Sequence, residues 1–325
     1  MGDATIRDVA RRAEVSVASV SRALNGLANV HPDTRAKVFA AAKSLGYVPH
    51  AGARSLSMAR THAIGVVLPD LHGEFFSEIV RGLDREASAR GYQLLLSNMH
   101  AEIERAGQAM RAMRGRVDGL VVMAPQIASE DLAETLPQSL PVVLINSPEG
   151  SGRAAFRIGN HDGAAAMVDH LVERGARTIV HIAGPTGNLD AQERCEGFEA
   201  GIARHDGVTG RLAAGDFSEE SGERATAELL ADAAPVDAIF AANDMMALGA
   251  YQILRAAGRA IPGDIMLAGF DDVPIARFLS LTTMRVKMDE IGGRAAARLI
   301  DALEGRSGEA ATELVVPELI VRATT

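Results

Sequence analysis

Apolar side chains recur along this chain in two different rhythms. In the opening stretch the spacing is helical; from about His62 onward short apolar runs alternate with helical stretches. Thr5, followed three residues later by Asp8, predicts a capped helix start, with Ile6, Val9, Ala10 and Ala13 on one face. Glu14 and Val15 make a turn, and Ser16 is placed to cap a second helix. Its inner face is Val20, Ala23 and Leu24; Val17, Ala18, Ser21, Arg22 and Asn25 lie on the other. After a loop from Gly26 to Val30, Pro32 and Asp33 open a third helix with an apolar stripe of Val38, Ala41, Ala42 and Leu45, stopped at Gly46. Tyr47 and Val48 are expected to fold back and close a small bundle. From His50 to Arg60 the chain reads as a linker able to become helical, although Gly52 costs it roughly 1 kcal/mol relative to alanine.

Beyond His62 the pattern predicts strands at Ala63–Leu68, Tyr92–Ser97, Gly119–Met123 and Val142–Ile145, separated by helices. The rhythm restarts after Gly159, with strands at Thr178–Ile182, Ala238–Ala241, Ile265–Ala268 and Thr283–Val286 and helices between them. A helix at Ile291–Leu303 and strands at Glu313–Val316 and Leu319–Val321 follow. Strand–helix alternation implies parallel sheets with helices on both faces. Two α/β lobes of similar size are the simplest reading, with any ligand between them at the carboxyl ends of the strands.

Composition narrows the class. The chain has 325 residues, 47% hydrophobic and 23% charged, as in globular proteins. No apolar run approaches a membrane span, no secretory leader is visible, and a cytoplasmic location is expected. The single cysteine, Cys195, rules out an intrachain disulfide. Charge is split along the chain. Nine Lys/Arg against four Asp/Glu make residues 1–60 carry +5, leaving −14 on the rest. A basic head on an acidic body attracts phosphates at one end only, which favours a DNA-facing role for the second helix over a merely packed helical hairpin.

Several motifs together resemble the lactose/galactose repressor family. They are Thr5-Ile6-Arg7-Asp8-Val9-Ala10, Val15-Ser16-Val17-Ala18-Ser19-Val20-Ser21-Arg22, Leu45-Gly46-Tyr47-Val48-Pro49 and Ala53-Arg54-Ser55-Leu56 in the head and hinge, with Ala242-Asn243-Asp244 and Gly269-Phe270-Asp271-Asp272 further on. The resemblance covers essentially the whole chain. It implies a helix-turn-helix head over 1–48, a hinge helix or linker over 49–61, and a two-lobed, periplasmic-binding-protein-like core over 62–325. Lobe 1 is then about 62–159 plus 288–320 and lobe 2 about 160–287, the final strands returning to the first lobe. The implied partners are a near-palindromic double-stranded DNA operator, a small-molecule effector of carbohydrate type, and a second copy in a homodimer, with no cofactor, metal or membrane.

By the same resemblance, Val17, Ala18 and Arg22 read bases, which suits an arginine bidentate to guanine and small methyls against thymine. Ser16, Ser19, Ser21 and Asn25 hold phosphates or groove edges. Ala53 and Leu56 belong to the hinge in the minor groove, Leu56 wedging into a base step. His50 replaces the family's usual asparagine cap, and Gly52 stands where a bulkier residue is common. The implied effector set is Phe75, Phe76, Asn146, Asn160, Asn188, Asp190, Arg194, Phe217, Asn243 and Asp271: aromatics for a ring face, polar groups for hydroxyls. Asn146 replaces a common aspartate, and Asp190 is charged where small or hydroxyl residues are frequent. Arg194 leaves a sugar acid open, Asp190 and Asp271 favour a neutral polyol, and a nucleobase corepressor is a further alternative.

Catalysis has little support in the pattern. No P-loop lysine, nucleophile elbow or metal-spaced His/Cys cluster is present, and His161, His170 and His181 fall on separate elements. An unregulated transport-type binding protein fits poorly with the basic head.

Overall fold

A computed structural model describes residues 4–25, 30–48, 60–71, 73–100, 102–148, 152–232, 234–306 and 310–325. The hinge positions Ala53 and Leu56, with His50 and Gly52, lie outside the described residues. The chain divides into two compact units: residues up to 62 together with 115–118, and the remainder.

The N-terminal unit contains α1 (Ile6–Ala13), α2 (Val17–Leu24) and α3 (Pro32–Leu45). Thr5 and Asp8 form a full capping box on α1, and Glu14 ends that helix in the left-handed conformation. The Ser16 hydroxyl accepts from the Ser19 amide and fixes the start of α2. His31 caps α3, Pro32 occupies its first turn, and Gly46 closes it at φ 61°. Val9, Val20, Ala23 and Val38 are fully buried between the three helices, with Tyr47 packed on them. Val48 does not fold back as expected. It is 80% exposed, because Tyr47 already covers the end of this small core. In the same unit the Thr61 amide and hydroxyl both donate to Asp118 Oδ1, at 2.7 and 2.8 Å.

The larger unit is built on two six-stranded sheets. The first has the order β11-β5-β4-β3-β1-β2, where β1 is Ala63–Leu68, β2 Gln93–Asn98, β3 Gly119–Met123, β4 Val142–Ile145, β5 Ala154–Ile158 and β11 Thr312–Val315; all neighbours are parallel. The second runs β12-β10-β9-β8-β6-β7, with β6 at Thr178–Ile182, β7 at Thr209–Ala213, β8 at Ala238–Ala241, β9 at Met266–Asp271, β10 at Thr282–Arg285 and β12 at Glu318–Ile320. The first sheet carries α4 (Glu74–Ala89), α5 (Ile103–Met113), α6 (Ser129–Thr135) and α12 (Met288–Leu303). The second carries α7 (Asn160–Glu173), α8 (Leu189–Ala203), α9 (Glu219–Ala231), α10 (Asp244–Ala256) and the single turn α11 (Pro274–Phe278). The central strands are continuous buried apolar runs, Gly-Leu-Val-Val-Met in β3, Val-Val-Leu-Ile in β4 and Ala-Ile-Phe-Ala in β8, as parallel sheets covered on both faces require.

Three features depart from the sequence expectation. Strand β5 and helix α11 were not anticipated, and the closing segment does not return wholly to the first lobe. β11 does join the first sheet, but β12 crosses over and pairs antiparallel with β10, Leu319 opposite Met284. The crossing is held by the Arg322 guanidinium, which donates to Asp272 Oδ1 at 2.6 Å and to the Leu281 carbonyl at 2.7 Å. Residues 318–320 therefore belong to lobe 2 rather than to the 288–320 return.

Candidate functional site

On α2, one face is consumed by packing and the other is offered to solvent. Val20 and Ala23 are fully buried, whereas Val17 (42%), Ala18 and Arg22 are exposed. Ser16 is exposed too, while Ser19, Ser21 and Asn25 are half-buried. Ser16 and Ser19 share a side-chain hydrogen bond of 2.9 Å beyond the cap. The Asn25 side chain reaches back to the Ser21 hydroxyl at 3.4 Å. Beyond its packed face, α2 thus presents Val17, Ala18 and Arg22 to solvent.

In the larger unit a cavity of about 670 Å³ opens between the two sheets at the carboxyl ends of their strands. Pro69, Met123 and Pro125 follow or end strands of the first sheet; Pro185, Phe217, Asn243 and Asp271 do so in the second. Hydrogen bonds cross the cleft on both sides. The Leu189 amide donates to the Pro125 carbonyl at 2.9 Å, and the Ile275 amide, in the first turn of α11, donates to Glu74 Oε2 at 3.0 Å.

At the cavity floor Arg194 is 2% exposed and held by three partners. Its Nε donates to Asn160 Oδ1 at 2.9 Å, Nη1 to the Ala242 carbonyl, and Nη2 to Asp271 Oδ1 at 3.2 Å. Its guanidinium carbon lies 3.9 Å from the Phe270 ring centroid and 5.8 Å from that of Phe217. Asp190 accepts from Asn160 at 2.8 Å and from Asn146 at 3.3 Å, the latter reaching across from the end of β4. Burial pushes the Asp190 carboxyl above its usual range against the pull of Arg194. Burial and the neighbouring Asp190 charge raise Asp271 to about 7. Asp244, whose oxygens accept from Thr283 and the Val273 amide, is raised well above the carboxylate range by burial and by Asp271.

The expected effector set is thus gathered in one place but not in one role. Phe75, Phe76, Asn188, Asp190, Arg194, Phe217, Asn243 and Asp271 line the cavity. Asn146 and Asn160 do not; both are buried behind it and orient Asp190 and Arg194. Phe75 and Phe76 meet edge to face at 5.2 Å between centroids. Asn188 and Asn243 also cap α8 and α10, so their side-chain oxygens are spent on backbone amides. Asn146, Phe217 and Asp271 have φ of 41°, 73° and 107°, and such backbone strain in non-glycine residues concentrates at working sites.

The sequence reading missed the acidic mouth, where Asp70, Glu74, Asp216, Glu219 and Glu220 line the opening with His100. No motif marks these residues, since the acids come from two connections far apart in sequence, β1 to α4 and β7 to α9. Among the described residues, no group of three or more His, Cys, Asp or Glu side chains is arranged to hold a metal ion. Nor is any described helix long and apolar enough to cross a membrane.

Residues 5–50 match the model of the bacterial regulatory proteins of the lacI family, and residues 168–325 match a periplasmic binding protein-like domain. The chain is 32% identical to the ribose operon repressor of Halalkalibacterium halodurans, over 99% of this chain and 97% of that protein. It is 34% identical to the HTH-type transcriptional regulator GalR of Escherichia coli strain K12, over 98% of this chain and 95% of that one. Among solved structures, the lac repressor dimer bound to operator and the anti-inducer ONPF superposes with a TM-score of 0.89 at 27% identity, covering 99% of both chains.

Proposed function

The chain belongs to the lacI family of bacterial regulatory proteins, and on that premise we propose that it is a cytoplasmic, dimeric repressor whose hold on a near-palindromic operator is set by a carbohydrate effector in the interlobe cleft. The observation that carries the reading is the division of α2, with Val20 and Ala23 buried and Val17, Ala18 and Arg22 presented outward behind a serine cap. In this reading Arg22 bonds a guanine edge, Val17 and Ala18 meet thymine methyls, and Ser16, Ser19, Ser21 and Asn25 fix the helix on the phosphates. Residues 49–61 act as the hinge, with Ala53 and Leu56 at the minor groove. The cleft is a binding site and not a catalytic one: Arg194 and Asp190 are tied into a fixed network, as recognition requires.

Control follows if the effector prefers one lobe arrangement, since a ligand shifts an equilibrium only by its difference in affinity for the two states. The bonds from Leu189 to Pro125 and from Ile275 to Glu74 are the contacts such a change would make or break. The reading is tested by selecting random duplexes on the full chain. Selection is expected to enrich a near-palindrome, and Arg22→Ala to lose about 1–3 kcal/mol of binding with relaxed preference at one position per half-site. Recovery of no common sequence, or a uniform loss on all sequences, would reject it.

A further inference from the structure

We infer that the effector is an amino sugar, a hydroxyl-rich ring whose ammonium group seats against Asp271 at the cavity floor. This deepens, and rests on, the reading of the cleft as a carbohydrate site.

Arg194 is the one buried Lys or Arg side chain among the described residues. Nε, Nη1 and Nη2 of Arg194 all donate within the protein, and a face of its guanidinium is covered by Phe270. Two of its five N–H groups are left for a ligand, but its charge is already set against Asp271 at 3.2 Å. Asp271 is 5% exposed and lines the cavity, and its Oδ1 takes the Arg194 bond while Oδ2 has no partner among the described residues. A carboxylate oxygen open to the cavity favours a ligand that donates hydrogen bonds.

Charge points the same way. Asp190 and Asp271 both feel the Arg194 charge, so among the described residues the floor carries more carboxyl groups than cations. The acidic mouth adds to the field and attracts a positive ligand while repelling an anion. The raised Asp271 carboxyl fits this picture, a proton standing where a ligand cation would. A metal ion is not the natural occupant, since the described side chains form no coordinating group. The rings of Phe75, Phe76 and Phe217 supply apolar faces for the sugar and negative π-surfaces for a nearby ammonium.

The test is calorimetric titration of the full chain near pH 7 with matched hexoses, 2-amino-2-deoxyhexoses and hexuronic acids of the gluco, galacto and manno series. The amino form of one series is expected to bind about tenfold tighter than its neutral parent, and the acid not at all. Asp271→Asn, which keeps shape and removes charge, should bring the amino and neutral forms level. A neutral or acidic form that binds as tightly as the amino form overturns the inference and leaves the carbohydrate reading standing. Failure of every sugar, amino forms included, overturns both.

Discussion

Asp271 shows what a single position contributes beyond its motif. Its place after Gly269-Phe270 made it legible as a cleft residue, but not its surroundings. The carboxyl sits at a positive φ beside one arginine and two further buried acids, and it is raised to about 7. An unfolded aspartate titrates near 4. Between those values the native state binds more protons than the unfolded one, so stability falls as pH rises from about 4 to about 7 and is level above. His181 acts in the opposite sense. Buried between Phe198 and Phe240, with Nδ1 on the Phe240 carbonyl, it is lowered to about 4 and costs stability as pH falls from about 6.5. Comparison with Asp271→Asn removes the histidine contribution. Urea unfolding should find the wild type losing ground to this variant between pH 5 and pH 8; a difference independent of pH would contradict the carboxyl's assigned state.

At the scale of elements, periodicity and capping located most helices and strands because the deciding interactions are local. Ser16, Pro32 and Gly46 fixed ends in the head, and continuous apolar runs marked β1, β3 and β4. The misses have non-local causes. β5 reads Ala-Ala-Phe-Arg-Ile, a poor strand former by composition, and becomes one through pairing with β4 and β11. α11 is a single turn, too short to show a period. Helix contact was also invisible in the pattern. Where α4 crosses α12, a Cβ on Gly82 would lie 1.9 Å from the Asp289 carbonyl oxygen, and one on Gly292 would lie 2.2 Å from that of Ile79. A Cβ on the adjacent Gly293 would meet nothing closer than 3.6 Å. Gly292→Ala should therefore destabilise by about 3 kcal/mol, the upper end of ordinary overpacking. Gly293→Ala should instead gain up to about 1 kcal/mol from helix propensity. Thermal unfolding of the two variants checks the pair, and equal effects would show that the crossing is looser than described.

At the scale of the whole molecule, the charge split and the two rhythms mark a basic helical head and an acidic α/β body in the sequence itself. Topology was less accessible. That β11 and β12 part company at Pro317 depends on Arg322 finding Asp272, fifty residues away in sequence, and no local signal encodes it. The split of the cleft residues into those that line it and those that brace it, Asn146 and Asn160, was hidden for the same reason. The central claim is that one chain couples this cleft to the outward face of α2. Its most direct test is the affinity of the full chain for its selected operator, measured by fluorescence anisotropy with and without the tightest cleft ligand from the sugar series. The account predicts a shift of at least about fivefold at saturation, the lower range of allosteric coupling. An operator affinity unchanged while the cleft is saturated would contradict it.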